Sequence, residues 1–191
     1  TFDWHDPAGD AWGIALTPYV TQIDDYISAA RCSSGGNACT AANANPATTT
    51  AFVYLKFVNE SARLHGVDIS GHFPLGRSEN YGSFSGSGRL NYVRGKNRTT
   101  DDNLANIMPI NAKLALTHKR GGWSGTIEAE MVGAKDDVSA VRNEMKTAGY
   151  GLGHLRASYE WKRLRVDLGV ENLFDRLYSH PLGGAYMGQG K

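Results

Sequence analysis

The segment that decides the fold is VDLGVENLFDRLYSHPLGGAYMGQGK, which spans Val166–Lys191. At its start, apolar positions alternate with polar or small ones, and Val166, Leu168 and Val170 share one side. Side chains of a β-strand point alternately to opposite faces, so this pattern predicts a half-buried strand. A stretch rich in glycine, tyrosine and proline follows, and its composition predicts a loop.

The same alternation recurs along most of the chain and divides the predicted strands into an apolar and a polar face. Charged residues make up 20% of the sequence, yet none occupies the alternating apolar positions, which on two of the strands run from Val67 to Phe73 and from Phe84 to Tyr92. The opposite face carries serine, asparagine and most of the charges. We predict strands at about 11–28, 51–74, 82–96, 107–119, 123–136, 150–161 and 163–178, preceded by the end of an earlier strand.

The connections between these strands alternate in length. Short turns fall near 7–10, 75–81, 120–122 and 162, whereas long loops cover 29–50, 97–106, 137–149 and the residues after 178. This arrangement is typical of an antiparallel up-and-down transmembrane β-barrel, which has short periplasmic turns and long extracellular loops. The sequence therefore predicts an all-β barrel segment of about seven long strands plus a stub.

Aromatic residues support a membrane location because they cluster at the ends of the strands. The set next to the short turns is predicted to lie at the membrane interface: Trp12, Phe73, Phe84, Trp123, Tyr159 and Trp161. A second set near the long loops comprises Tyr92, Tyr150, Phe174 and Tyr178. Aromatic belts on both sides of an apolar band are favoured at lipid headgroups. A soluble β-sandwich would have no reason to segregate its tryptophans.

Overall charge argues against nucleic-acid binding. The 191 residues include 20 basic and 19 acidic residues, a net charge of +1, and nucleic-acid surfaces need a basic excess.

The two cysteines, Cys32 and Cys39, bracket a glycine- and serine-rich turn and predict a small disulfide ring. Two free thiols in a flexible loop are the alternative.

Three motifs resemble the barrel of TonB-dependent outer-membrane receptors. A GxxNLFD segment is found near the C-terminus of that family, and here it is Gly169–Asp175, followed by Tyr178. The segment FVNESARLHGVDISGHFPLG at Phe57–Gly76 is similar to another strand of the family, with Asp68 where glutamate is usual. WGIALTPYVTQIDDYI, at Trp12–Ile27, resembles the strand before it.

The resemblance implies a barrel of 22 strands, of which residues 1–191 would be the C-terminal portion. The TonB box, the plug domain and the final strand of the family are absent from this sequence. The family imports a scarce nutrient across the bacterial outer membrane: a ferric siderophore, haem, cobalamin, or a metal ion such as copper or zinc. No enzymatic activity and no cofactor are implied.

The implied partners are outer-membrane lipid and lipopolysaccharide, the receptor's own plug domain, the TonB–ExbB–ExbD complex and a small-molecule or metal-chelate ligand. The last loop supplies the candidate ligand-binding residues Tyr178, His180, Tyr186 and Met187, because they offer aromatic, imidazole and thioether contacts, and imidazole with thioether suits soft metals such as copper. They are also ordinary residues for an exposed loop.

The polar face supplies the candidate lumen-facing residues, which would meet the plug. These are Arg89, Lys113, Glu128, Glu130, Arg156, Glu160 and Arg165, and opposite charges on neighbouring strands predict cross-strand ion pairs. The alternative reading of the whole chain is a small self-contained outer-membrane barrel with a structural or adhesive role. An outer-membrane enzyme is disfavoured, because no cluster of serine, histidine and aspartate has a recognisable catalytic spacing.

Overall fold

The computed structural model describes residues 1–8, 11–32 and 55–183, and its regular structure there is entirely β. The strands are β1 (Phe2–His5), β2 (Gly13–Arg31), β3 (Leu55–Ser78), β4 (Gly82–Asn97), β5 (Asn111–Arg120), β6 (Trp123–Val132), β7 (Tyr150–Glu160) and β8 (Arg165–Val170). No helix long and apolar enough to cross a membrane occurs in the part of the chain that the structure describes.

All eight strands form one antiparallel sheet whose spatial order is the order of the sequence. Each strand therefore pairs with its sequence neighbours, and within the described ranges the sheet is not closed between β1 and β8. This confirms the predicted up-and-down architecture of a short first strand followed by seven more. The predicted alternation of short and long connections is also found, with β3 and β4 separated by three residues and β6 and β7 by seventeen.

The strand register produces one continuous apolar surface. Phe73 lies opposite Gly86, and the same row continues across the sheet through Leu116, Ile127, Leu155 and Val170. These side chains are exposed, with Ile127 60% and Val170 50% accessible. An exposed apolar face of this extent marks an interaction surface, and alternation with a polar face is the pattern of a barrel wall in lipid.

Two glycines on the apolar face lie beneath large neighbours. The ring of Phe73 covers Gly86, since a Cβ added there would meet ring atoms at 2.7 Å. In the same way Leu114 covers Gly88, with a methyl carbon 3.0 Å from the added Cβ. A large side chain on one strand therefore fills the space left by a glycine on the next, which fixes the strand register.

The last strand is shorter than predicted, because β8 ends at Val170 and not at residue 178. The backbone turns at Asn172 and Asp175, whose φ angles of 50° and 48° are left-handed and incompatible with a strand. The side chain of Asn172 holds this turn: its Oδ1 accepts from the Arg176 N–H at 2.9 Å, and its Nδ2 donates to the Arg176 carbonyl at 3.0 Å. The NLFD segment is thus a turn.

We predict that the substitution Gly86→Leu lowers the free energy of unfolding by about 1–3 kcal/mol, because the new side chain would clash with the ring of Phe73. Gly125→Leu is the matched control, since Gly125 lies on the same face and no atom lies within 4 Å of its added Cβ. The measurement is urea unfolding of the detergent-solubilised barrel. Equal destabilisation by the two variants would contradict this account.

Candidate functional site

The polar face of the sheet carries a network of ion pairs across β5, β6 and β7. The Nζ of Lys113 lies 2.7 Å from a carboxylate oxygen of Glu130 and 3.8 Å from one of Glu128. Arg156 lies 3.5 Å from both Glu128 and Glu171. The predicted cross-strand ion pairs are therefore present, and they join four of the predicted lumen-facing residues into one network.

The other predicted lumen-facing residues lie outside this network. Arg89 is paired in register with Lys113 on the same face. Arg165 binds Asp167 of its own strand, with the two atoms 2.8 Å apart, and lies opposite Glu160 in the register. That these side chains face a plug domain stays a prediction.

A buried histidine connects the ion-pair network to the NLFD turn. His154 is only 7% exposed, and its Nδ1 accepts a hydrogen bond of 3.4 Å from the Asn172 N–H. Its Nε2 therefore carries the proton in the neutral ring and lies 3.8 Å from a carboxylate oxygen of Glu130. The sequence placed His154 on the polar face but gave no sign of this connection.

Two long loops at the end of the sheet opposite the short turns are interlocked. They cover residues 98–110 and 133–149. The carboxylate of Asp102 accepts hydrogen bonds from the Ser139 hydroxyl at 2.9 Å and from the N–H groups of Ala140 and Val141 at 3.0 Å. Burial raises the pKa of Asp102, but these hydrogen bonds outweigh burial, so the pKa lies below its ordinary value.

A buried ion pair extends the connection to the last described loop. The Nζ of Lys135 lies 2.6 Å from Oε1 of Glu144 and donates to the carbonyl of Pro181 at 3.0 Å. Glu144 also accepts from the N–H groups of Asn106 and Ser139. The Lys135 side chain is 1% exposed, and the hydrogen bonds of the Lys135–Glu144 pair connect residues from three loops. Sequence reasoning missed it, since one lysine in a loop gives no signal of burial.

The candidate ligand-binding residues have different surroundings. Tyr178 packs against Tyr150 with the rings tilted by 38° and their centroids 4.4 Å apart, beside the buried Val132 and Leu152. His180 is exposed, and its Nδ1 accepts a 3.2 Å hydrogen bond from the N–H two residues later. Tyr186 and Met187 lie outside the described residues. So does Cys39, and its disulfide with Cys32 stays a prediction.

The expectation of an aromatic belt at the loop end was wrong for Tyr150. It belongs to the polar face and is 6% exposed, because Tyr178 and its apolar neighbours cover it. Phe174 does lie on the apolar face, where its ring covers Gly153 at 2.8 Å from the added Cβ and stays 77% exposed. The turn at Asn172 therefore places Phe174 on the apolar side of the sheet and Tyr178 on the polar side.

The aromatics near the short turns form local contacts. Tyr159 packs edge-on against Trp123 and Trp161, with centroid distances of 4.7 and 4.3 Å. Phe84 stacks on His118 at 4.5 Å. Trp12, Phe73 and Phe84 are exposed on the apolar side. The role of all six at a membrane interface stays a prediction.

Among the described residues, no group of three or more His, Cys, Asp and Glu side chains could hold a metal ion.

Comparison with known proteins agrees with this geometry. The family model for the β-barrel of TonB dependent receptor-like proteins matches residues 1–173. The chain belongs to the TonB-dependent receptor β-barrel family. The family members to which it is similar are transporters and receptors and not enzymes.

Curated relatives include the heme/hemopexin utilization protein C of Haemophilus influenzae strain Rd, 27% identical over 93% of this chain and 25% of the relative. The protein of the same name from a second strain is 29% identical over 93% of this chain and 24% of its own length. The chain thus spans about a quarter of these relatives. The solved structure of the copper transporter OprC shares the fold, with a TM-score of 0.75 and 23% identity over 96% of this chain and 27% of OprC.

We predict that the two interlocked loops separate on acidification. A carboxylate with a lowered folded pKa stabilises above its unfolded pKa, about 3.9, and this contribution is lost as pH falls through the lower folded pKa. Hydrogen-exchange protection at Ala140 and Val141, corrected for intrinsic rates, should therefore hold at neutral pH and fall below about pH 4. Asp102→Asn should reduce protection at neutral pH. Asp101→Asn is the control, because Asp101 has a side chain 97% exposed; equal loss there would contradict the prediction.

We predict that Lys135→Met destabilises the loops by about 3–5 kcal/mol, because it leaves Glu144 buried without its cation. Adding Glu144→Gln should restore part of this loss, since it removes the unpaired buried charge and its amide oxygen still accepts from one of the N–H groups of Asn106 and Ser139. Lys146→Met is the matched control: its side chain is 66% exposed and only pairs loosely with Asp136, at 3.7 Å. The measurement is the opening free energy from hydrogen exchange at Asn106 and Ser139. A Lys135→Met effect no larger than that of Lys146→Met would contradict a structural role for the pair.

Proposed function

We propose that this chain forms part of the barrel wall of an outer-membrane receptor that binds and imports haem, energised by the TonB–ExbB–ExbD complex. Its 191 residues would be the C-terminal portion of the barrel, with the plug domain supplied by another part of the same protein. The observation that supports the proposal most is the family match over 1–173 on a sheet with one apolar and one charged face. Such a wall separates lipid from a polar lumen.

Haem is favoured over the other nutrients of the family by the relatives at 27% and 29% identity, which are named for haem utilisation. The exposed imidazole of His180 is suited to an iron porphyrin, because histidine is a common haem ligand. Tyr178, Tyr186 and Met187 are further candidate contacts in the same loop. The similarity to the copper transporter is in fold, so copper serves as a comparison in the test.

On the inner side, the ion-pair network of Lys113, Glu128, Glu130 and Arg156 is the proposed contact surface for the plug. Charged groups at such an interface set the orientation of the partner more than its affinity. The neighbouring Arg89, Glu160 and Arg165 would extend this surface. On the outer side, the apolar rows would contact lipid.

The experiment is growth of a haem-auxotrophic bacterium that expresses the intact receptor carrying this chain. We expect growth on low external haem, no growth when TonB is deleted, and no change in copper or ferric siderophore uptake. Uptake of copper or of a ferric siderophore in the absence of haem would contradict haem as the substrate. Growth without TonB would contradict TonB as the energy source.

Binding at the last loop is tested by His180→Ala in the same receptor, with His118→Ala at the opposite end of the sheet as the matched control. We expect the haem dissociation constant, measured by absorbance, to rise about tenfold or more for His180→Ala, which removes one ligand to iron. The control should bind normally. An unchanged constant for His180→Ala would remove this residue from the proposed site.

A further inference from the structure

Four basic side chains form a patch on the outer, apolar side of β3 and β4. Arg63 lies opposite Lys96, and His65 lies opposite Arg94. Because strand side chains alternate, these residues share their face with Val67 and Tyr92, the next pair along the same strands. The patch, Arg63, His65, Arg94 and Lys96, therefore directly adjoins the end of the apolar surface.

The polarity of the two faces is reversed at this level of the sheet. The inner face of the same segment carries Ala62, Leu64 and Gly66 on β3 and Val93 and Gly95 on β4. Ala62 is 2% exposed. Nearer the short turns, the charged face is the inner one. The strands thus place cations on the outer face only where the apolar surface ends.

Distance along the strand places the patch at the depth of lipid headgroups. The outer positions of β4 from Phe84 to Tyr92 are apolar or glycine. At about 3.4 Å per residue they span about 27 Å along the strand, or about 21 Å along the membrane normal for a strand tilted by about 40°. This is close to the roughly 25 Å height of the apolar band of outer-membrane barrels. Arg94 is the next outward residue, so it lies just beyond the hydrocarbon.

The patch keeps an excess of positive charge. Arg94 binds Asp137 through one nitrogen at 2.8 Å, and its side chain stays 43% exposed. The Nζ of Lys96 donates to the carbonyl of Asp101 at 3.2 Å and lies 3.9 Å from its carboxylate, which is itself 97% exposed. Arg63 is exposed. The strands contribute three fixed cations and a histidine to this face, whereas both carboxylates come from the long loops.

We propose that this patch binds the phosphate groups of lipopolysaccharide in the outer leaflet. The site rests on the proposed outer-membrane placement, with the long loops outside. Guanidinium groups bind phosphate through paired hydrogen bonds, and each basic residue beside an anionic membrane surface strengthens attachment. The side chains face the bilayer at headgroup depth, so the phosphates within their reach are those of lipid. The ligand would hold the barrel at a fixed depth through β3 and β4.

The experiment uses the intact receptor, depleted of lipid in detergent, and measures lipid binding by native mass spectrometry. Lipid A with its phosphates should bind at least about tenfold more tightly than dephosphorylated lipid A. The triple variant Arg63→Gln, Arg94→Gln, Lys96→Gln should lose this preference. The matched control Lys119→Gln, Arg120→Gln, Lys162→Gln removes the same charge near the short turns and should keep it. Phosphatidylglycerol should bind more weakly, and excess inorganic phosphate should not displace lipid A.

Equal binding of lipid A with and without phosphates by the unmodified receptor would overturn the proposal, and this comparison is independent of whether any variant folds. Equal losses in the two triple variants, or displacement by inorganic phosphate, would also overturn it. Insertion is scored separately by flotation of the receptor with phosphatidylcholine vesicles. A receptor that does not float contradicts the proposed membrane placement, whereas one that floats without a phosphate preference contradicts only the patch.

Discussion

The constraint on which this structure depends is that backbone N–H and C=O groups must be hydrogen-bonded where lipid replaces water. An isolated strand cannot meet this demand, and a sheet meets it only by pairing each strand on both sides. Strands β2 to β7 do so with their sequence neighbours, whereas β1 and β8 pair on one side within the described residues. Once the backbone is satisfied in this way, alternate side chains have to suit two different solvents. Neither face needs a conventional core, and few apolar side chains of the described residues are buried.

Much of the fold could be predicted from the sequence because this constraint acts on every second residue. Exclusion of charge from one face is repeated over many strands, so the pattern is clear despite local exceptions. Strand order followed from the short connections, since neighbours joined by a few residues pair as hairpins. The boundaries were less accurate. β5 begins at Asn111 and not at 107, because residues before it belong to the loop that packs its Leu104 against Gly95.

The parts that sequence reasoning missed depend on single long-range contacts with no periodic pattern. The last strand was predicted to run through the NLFD segment to residue 178, but the side chain of Asn172 holds Arg176 and sets a left-handed backbone that ends the strand. Lys135 looked like an ordinary loop lysine until its partners, Glu144 and the carbonyl of Pro181, were brought together by folding. Tyr150 was expected in the aromatic belt at the loop end, but strand alternation places its ring on the polar face, where the contact with Tyr178 buries it.

The interlocked loops give the wall a mechanical asymmetry. Near the short turns, the contacts between strands in the described ranges are those of immediate neighbours, so that end is held mainly by the hydrogen bonds between paired strands. At the other end, Arg31 of β2 donates to the carbonyl of Val141 at 3.0 Å, and Lys135 reaches the loop after β8. The first link ties β2 to the loop between β6 and β7, and the second ties that loop to the loop after β8, so segments that are distant in the strand order are held together. A force applied from the side of the short turns would therefore deform that end first, while the rim formed by the long loops keeps its shape.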